Sequence, residues 1–159
     1  LDPVKNVIEI SNISIQISNN NGNDLLIKSG MSVIDNTKNF IRIYDNVNIS
    51  FFDTNNYTIY TKSVNWDLNK SNIDLNSSLD IDFDKSKMIS ENGIYNLNST
   101  ILKLYNNKFN RSIFSMNGAD KYQIEIVSDI AKWIKKDNSI EFTSNDKQVE
   151  TTINILSIK

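Results

Sequence analysis

Residues 57–75 read Tyr-Thr-Ile-Tyr-Thr-Lys-Ser-Val-Asn-Trp-Asp-Leu-Asn-Lys-Ser-Asn-Ile-Asp-Leu. Apolar side chains fall at Tyr57 and Ile59, at Val64 and Trp66, and again at Ile73 and Leu75. Each pair has period two, the spacing of a strand with one buried face. Between Trp66 and Ile73 runs Asp67-Leu68-Asn69-Lys70-Ser71-Asn72, rich in residues that turn a chain. Strand, polar turn and strand make a hairpin.

The pattern recurs. Ile34, Trp66, Tyr95 and Trp133 form a column, each followed at plus seven and plus nine by an apolar pair: Ile41 and Ile43, Ile73 and Leu75, Leu102 and Leu104, Ile140 and Phe142. Before the column, Leu25, Tyr57 and Ile124 fall at minus nine, and Ile27, Ile59, Met88 and Ile126 at minus seven. Column spacings are 32, 29 and 38 residues. A unit repeated at that interval cannot bury its apolar face alone, so its copies stack. Residues 7–17 alternate on a β-branched background and read as an opening strand pair or one long strand. Asn19 to Asn23, with its Asn-Gly, turns the chain into the first unit, and Ser115 to Lys121, with Asn117-Gly118, is the clearest interruption, read as a loop. Val127 to Lys136 also fits an amphipathic helix through Val127, Ile130, Ala131 and Ile134. The register of the other three units favours a strand there.

The expected fold class is all-β: an antiparallel β-jellyroll, an open V-shaped roll built of repeated hairpins, in a single domain over 1–159. Its polar face carries Lys62, Asp67, Asp74, Asp80, Asp82, Lys103 and Glu141, while the apolar face must fold onto a second sheet or curl into a roll. Either solution leaves free edges, near residues 7–17 and near 147–158. The candidate apolar interior comprises Ile34, Ile43, Ile59, Trp66, Leu75, Ile81, Tyr95, Leu104, Ile126, Trp133 and Phe142. Candidate partner edges carry Ile10, Ile15, Val149 and Ile153.

Composition narrows the chemistry. The formal charge of −2 offers no cationic field for nucleic acid. Histidine and cysteine are absent, which removes the commonest general base, thiol nucleophiles, disulfides and the commonest zinc ligands. A triad built on histidine is therefore excluded, and no enzyme, metal or cofactor is expected. The 26 asparagines and 25 isoleucines fit the codon bias of an AT-rich genome. No apolar run approaches the roughly 18 residues that span a bilayer. The chain opens at Leu1, and an anchor or signal segment is expected upstream of it.

Tyr57-Thr-Ile-Tyr-Thr-Lys-Ser-Val-Asn-Trp66 with Ile73-Asp-Leu75 and Leu79-Asp-Ile-Asp-Phe83, and Ile124-Glu-Ile-Val-Ser-Asp-Ile-Ala-Lys-Trp133 with Ile140-Glu-Phe142, resemble the OstA-like β-jellyroll family. That family supplies the periplasmic bridge of the bacterial lipopolysaccharide export system. The likeness spans roughly residues 20–155 as a pattern. Length and start look most like its protein C type, with the soluble protein A type as sibling. The resemblance implies a non-catalytic, periplasmic lipid-binding bridge, anchored to the inner membrane by an N-terminal helix. It would pass lipopolysaccharide along the roll interior from the inner-membrane transporter complex toward outer-membrane assembly. Its partners would be lipopolysaccharide, that transporter and neighbouring β-jellyroll proteins joined through edge strands. The edge at Val7 to Ile17 would face the transporter and the edge at Val149 to Ile155 the next bridge protein. Cationic clusters for lipid phosphates are not evident, and Lys135-Lys136 is the one notable basic doublet near a candidate rim.

Other readings compete. A structural or adhesive β-repeat of a bacterial surface or phage fibre would show even coils and a closed dry core, and the uneven spacings argue against it. A carbohydrate-binding sandwich would set aromatics in a row on its outer face, whereas here they share the inward parity. Trp66, Tyr95 and Trp133 fit plain core packing as well as lipid contact. Asp80, Asp82 and Asp84 alternate onto one face, which a solvated strand explains as readily as calcium. Sequons such as Asn56-Tyr-Thr and Asn98-Ser-Thr follow from abundant asparagine.

Overall fold

A computed structural model describes residues 6–18, 24–52, 57–83, 86–105, 112–118 and 122–155. The turn expected at Asn19 to Asn23, and Asn56, Asp84, Phe109 and Lys121, lie outside the described residues. Strands dominate, and no α-helix occurs among the described residues. Four long strands come first: β1 (Val7–Ile17), β2 (Asp24–Asp35), β3 (Phe40–Phe52) and β4 (Tyr57–Asp67). Ten shorter ones follow: β5 (Asn72–Leu75), β6 (Leu79–Phe83), β7 (Ser86–Ser90), β8 (Asn92–Asn96), β9 (Ile101–Tyr105), β10 (Ser112–Gly118), β11 (Tyr122–Ser128), β12 (Ile130–Ile134), β13 (Ser139–Thr143) and β14 (Glu150–Ile155). All pairings are antiparallel.

The four long strands lie side by side, and β4 is where the sheet forks. Its second half pairs with β5 and its first half with β6. Beyond the fork, one arm runs β5-β8-β9-β12-β13 and the other β6-β7-β10-β11-β14. The arm holding the column residues is called upper here and the other lower. The sheet does not close into a barrel. It is an open, jellyroll-like roll of repeated hairpins.

The column is one lateral row of the upper arm. Ile8, Ile34, Ile41, Trp66, Ile73, Tyr95, Leu102, Trp133 and Ile140 are successive cross-strand partners over nine strands. Directly paired residues share a face, so the row is a continuous apolar rung. The next rung runs Ile10, Ser32, Ile43, Val64, Leu75, Gly93, Leu104, Ala131 and Phe142. Beyond Val64 it alternates large and small, which lets the opposing arm approach. Gly93 marks that approach: a Cβ there would lie 2.9 Å from Leu104 Cδ2 and 3.1 Å from Leu79 Cδ1 of the lower arm. The lower arm has its own rung, with Ile15, Ile27, Ile49, Ile59, Ile81 and Met88 in register.

Between the arms the strands bend along one line. Asn12 in β1 and Asp45 and Asn46 in β3 have positive φ (54°, 68° and 56°). The β2–β3 register shifts between Lys28 and Met31, and the β3–β4 register between Tyr44 and Val47. Gly30 lies on the same line, where any Cβ would collide with the Asp45 carboxylate. Bulges of this kind bend a sheet and flip side-chain parity. Here the extra residue falls on β3, whose buried residues stay odd-numbered from Ile41 to Phe51, while β4 switches from Tyr57, Ile59 and Thr61 to the even-numbered Val64 and Trp66.

A buried hydroxyl stands at the bend five residues before every column position: Ser29, Thr61, Ser90 and Ser128. Ser29 Oγ donates to the Met31 carbonyl (2.9 Å), and Ser128 Oγ to the Ile130 carbonyl (3.1 Å). Ser90 Oγ lies 2.7 Å from the Tyr105 carbonyl and 3.2 Å from that of Asn92. Thr61 Oγ1 meets Ser77 Oγ at 2.8 Å, and Ser77 Oγ accepts the Lys62 and Ser63 amides, both at 3.1 Å. Backbone groups that leave the ladder at the bend thus find partners. At the other end of the hairpins, the residue after the column caps the turn in the first three units, whereas Ile134 in the fourth makes no side-chain cap. Asp35 Oδ1 accepts the Thr37 and Lys38 amides, Asp67 Oδ1 the Asn69 amide, and Asn96 Oδ1 the Asn98 and Ser99 amides. Asn39, Thr100 and Asn138 close three of these turns at positive φ.

Three expectations are settled by these elements. Residues 7–17 form one strand, not two. The helix over Val127 to Lys136 is excluded, because Ile130–Ile134 pairs with β9 and β13, and only Lys135–Asp137 makes a 3₁₀ turn. The loop expected at Ser115 to Lys121 is a misreading for 115–118. They belong to β10, whose pairing with β7 and β11 on both sides outweighs the turn chemistry of Asn117-Gly118.

The small buried hydroxyls separate cleanly by partner. Ser32 Oγ is buried with no hydrogen-bond partner among the described residues. Ser32→Ala is therefore expected to raise unfolding free energy, by up to about 1–3 kcal/mol, the cost of an unsatisfied buried polar group. Ser128→Ala should lower it by about 1 kcal/mol, and Gly93→Ala by about 1–3 kcal/mol through overpacking. Urea denaturation curves read all three. At the second turn, Asp67 is held below its ordinary value of 3.8 by the hydrogen bond from Lys70 and then by the Asn69 amide. A lowered carboxylate value stabilises the fold above 3.8 and ceases to as pH falls through the lowered value. Asp67→Asn should therefore lower the melting temperature slightly at neutral pH, and its melting-temperature-versus-pH profile should converge with that of the unaltered protein below pH 3.8.

Candidate functional site

Of the interior residues, Ile43, Ile59, Leu75, Ile81, Tyr95, Leu104 and Trp133 are buried, and they belong to one core with Ile27, Val64, Leu79 and Met88. Ile34, Trp66, Ile126 and Phe142 are half-buried and pack against that core from its margins. The bend brings the two arms face to face through aromatic rings. Phe51 stacks on Tyr57 (4.2 Å between centroids, 18° between planes) and meets Tyr95 edge-on at 5.0 Å. Tyr57 of the lower arm touches Trp133 of the upper arm at 3.9 Å. The Lys135 ammonium lies 5.4 Å from the Phe51 ring centroid, in range of a cation–π contact. Half of the expected basic doublet therefore caps the aromatic cluster, while Lys136 is exposed.

The inner face does not stay covered to its ends. In the lower arm, Ile124 pairs with Ile153 and Tyr122 with Ile155, and this register places all four on the face of Tyr57. There Tyr122 is 40% exposed, Ile153 59% and Ile155 82%. At the opposite margin, Ile8 of β1 is 49% exposed, while Ile10, Ile13, Ile15 and Ile17 are half-buried along the same inward stripe. Trp66 Nε1 is shielded on the upper arm with no hydrogen-bond partner among the described residues. A donor stripped of water in an apolar wall is an unmet demand for an acceptor.

The edges differ in number from the expectation. β1 is a free edge of eleven residues that spans both arms, as expected for Ile10 and Ile15. At the other side there are two edges, β13 in the upper arm and β14 in the lower, where one was expected. Ile153 lies on β14, whereas Val149 precedes that strand and is exposed. The sequence reading lacks Tyr122 and the β13 edge, whereas Ile155 already ends the expected second edge. Tyr122 continues the alternation of Ile124 and Ile126 by two residues, so the pattern reaches it.

The outer face is ionic. Lys87 Nζ bonds Asp80 Oδ2 at 2.8 Å and Lys132 Nζ bonds Glu141 Oε2 at 3.1 Å. The Asp80 hydrogen bond raises the Lys87 ammonium above its ordinary value. Such solvated pairs contribute little stability. Among the described residues, no three of His, Cys, Asp and Glu gather as metal ligands. What this arrangement offers chemically is shelter for apolar groups between two arms, and backbone hydrogen bonding along three edges. No protein-family model and no curated protein sequence matches this chain.

The Tyr57–Trp133 contact, together with Phe51–Tyr95, ties the arms directly. Trp133→Ala should cost about 3–5 kcal/mol of stability, the range for large aromatic-to-alanine core changes. Phe142→Ala, at the half-buried margin, should cost clearly less in the same denaturation assay.

Proposed function

We propose that this protein is a non-catalytic lipid carrier of the OstA-like β-jellyroll kind. It takes the acyl chains of lipopolysaccharide between its two arms and passes them along a periplasmic bridge. The observation that carries the reading is the uncovered inner face beside free edges: Tyr122, Ile153 and Ile155 expose apolar surface on the face that is core elsewhere. An acyl chain laid there gains about 0.8 kcal/mol for each CH₂ taken from water. Walls of isoleucine, leucine and aromatic rings suit a cargo that must move on, since they grip by area and not by directional bonds. The Trp66 N–H, without a partner among the described residues, adds one donor fit for an ester or amide oxygen of such a lipid.

The edges extend the reading to partners. A strand added to β1, or to β13 and β14, would continue the apolar face into a neighbouring β-jellyroll protein or the inner-membrane transporter complex, since main-chain pairing keeps register. An anchor in the inner membrane belongs to the same proposal.

Photo-crosslinking with lipopolysaccharide tests it. A photoreactive residue at Ile153, Ile155 or Phe142 is expected to give lipid adducts, and one at the fully packed Ile43 to give none. Ile153→Asp with Ile155→Asp should reduce the adduct at Phe142 several-fold without lowering the melting temperature, because both side chains are exposed. No adduct from any margin position would sink the lipid reading.

A further inference from the structure

The bend that folds the inner face together also leaves a trough on the outer face. Below the bend, Ser14, Lys28, Asn48, Tyr60 and Asp80 are successive cross-strand partners pointing away from the core. Above them stand the bend residues Asn12, Gly30, Asn46 and Lys62. Two open cavities lie between these rows, one of about 450 Å³ beside Asn48, Tyr60, Lys62 and Asp80, the other of about 340 Å³ beside Asn12, Ser14, Lys28 and Gly30. Asn46 lines both, so they adjoin. Crossing five strands at about 4.8 Å each, the trough is roughly 19 Å long.

We propose that this trough binds a neutral oligosaccharide chain. Three observations select that chemistry. First, its polar groups are mostly amides and hydroxyls, Asn12, Ser14, Asn46, Asn48 and Ser78, which donate and accept in the way sugar hydroxyls require. Second, Tyr60 lines the larger cavity with 46% of its surface exposed, an outward aromatic ring against which a sugar ring can stack. Third, charge is balanced. Lys62 shares the larger cavity with Asp80, which is paired with Lys87, and the Asp45 carboxylate lies beside Gly30 in the smaller one with Lys28, so a polyanion would meet carboxylates as well as lysines. Asp80 also keeps a second oxygen, Oδ1, shielded and without a hydrogen-bond partner among the described residues. A ligand hydroxyl reaching it would satisfy an acceptor already desolvated. The site lies on the opposite face of the sheet from the proposed lipid surface and does not depend on it.

Titration calorimetry with the whole chain decides the matter, using neutral hexaoses of glucose, mannose, galactose and N-acetylglucosamine, and a sulfated heparin hexasaccharide as the anionic arm. Saturable binding of at least one neutral hexaose is expected. It should weaken about tenfold in Tyr60→Ala, the upper range for losing one aromatic contact, and stay near wild type in Tyr60→Phe. Asn48→Ala should weaken it as well, whereas Ile153→Asp on the inner face should not. Melting curves confirm that each variant is folded, and Asn48→Ala keeps the test decisive if Tyr60→Ala is not. No binding by any of the four neutral chains overturns the proposal. So does preferential binding of the sulfated chain that is lost in Lys28→Ala and Lys62→Ala.

Discussion

The bend line is the constraint on which the rest of the structure depends. A sheet that folds across its own strands pulls peptide groups out of the ladder, and in a buried place each of those must find another partner. Here hydroxyls supply them: Ser29 and Ser128 reach carbonyls two residues on, Ser90 reaches across to Tyr105, and Ser77 holds two consecutive amides of β4. A methyl in the same place would fill the space and leave the polar groups stranded. Because the bend is satisfied, the arms can face each other, and the aromatic contacts of Phe51, Tyr57, Tyr95 and Trp133 become possible.

Much of the fold was legible because an apolar rung leaves a trace in sequence. The column and its plus-seven and plus-nine partners are hairpin mates, so Trp66 facing Ile73 and Trp133 facing Ile140 follow from turn length alone. The turn caps are legible as composition, through Asp67 and its polar run, whereas their place one residue after the column shows only when the strands are paired. The hydroxyls at minus five escaped because serine is common in this chain and a search for apolar matches passes over it. What was not legible is how the sheet forks. Nothing local in Asn76-Ser77-Ser78 distinguishes a break between β5 and β6 from an ordinary turn, since the difference lies in which neighbours pair with β4. The same holds for β10, where two flanking strands impose an extended backbone on a sequence with a strong turn signal. Likewise, the division of the interior into buried residues such as Leu104 and half-buried ones such as Phe142 depends on which strand ends up at an edge.

The repeat also decays along the chain, and that decay sets the shape. In the first unit both strands pass through the bend unbroken, as β2 and β3. In the second, β4 passes through but its return breaks into β5 and β6. From the third unit on, the outgoing strand breaks as well, at Glu91 between β7 and β8 and at Asp129 between β11 and β12. Right-handed twist accumulates with each added strand, so two halves that begin as one ribbon diverge as strands are added. By the last unit the corner is held by side chains: Ser144 Oγ accepts the Asp129 amide at 3.3 Å and Asp129 Oδ2 accepts the Asn145 amide at 2.9 Å.

This gradient separates a spine from a mouth. Continuous strands β1–β4 fix the two arms at one side, where opening them would break long ladders. At the other side β13 and β14 are free edges, and the inner face there is uncovered at Ile153 and Ile155. Local opening follows the regions with the fewest buried contacts and ladder bonds, so the arms part first at that side. Apolar exposure thus falls at the C-terminal margin, where the ladders are shorter, as the proposed loading of a flexible apolar chain would require. The outer trough lies instead on the spine, across β1–β4 and β6, where the bend is held by unbroken strands. A rigid ridge suits recognition by directional hydrogen bonds, which lose strength steeply when donors and acceptors drift out of line. One bend therefore gives the chain two surfaces of opposite character: an exposed apolar margin at the C-terminal strands and a polar trough across the continuous ones.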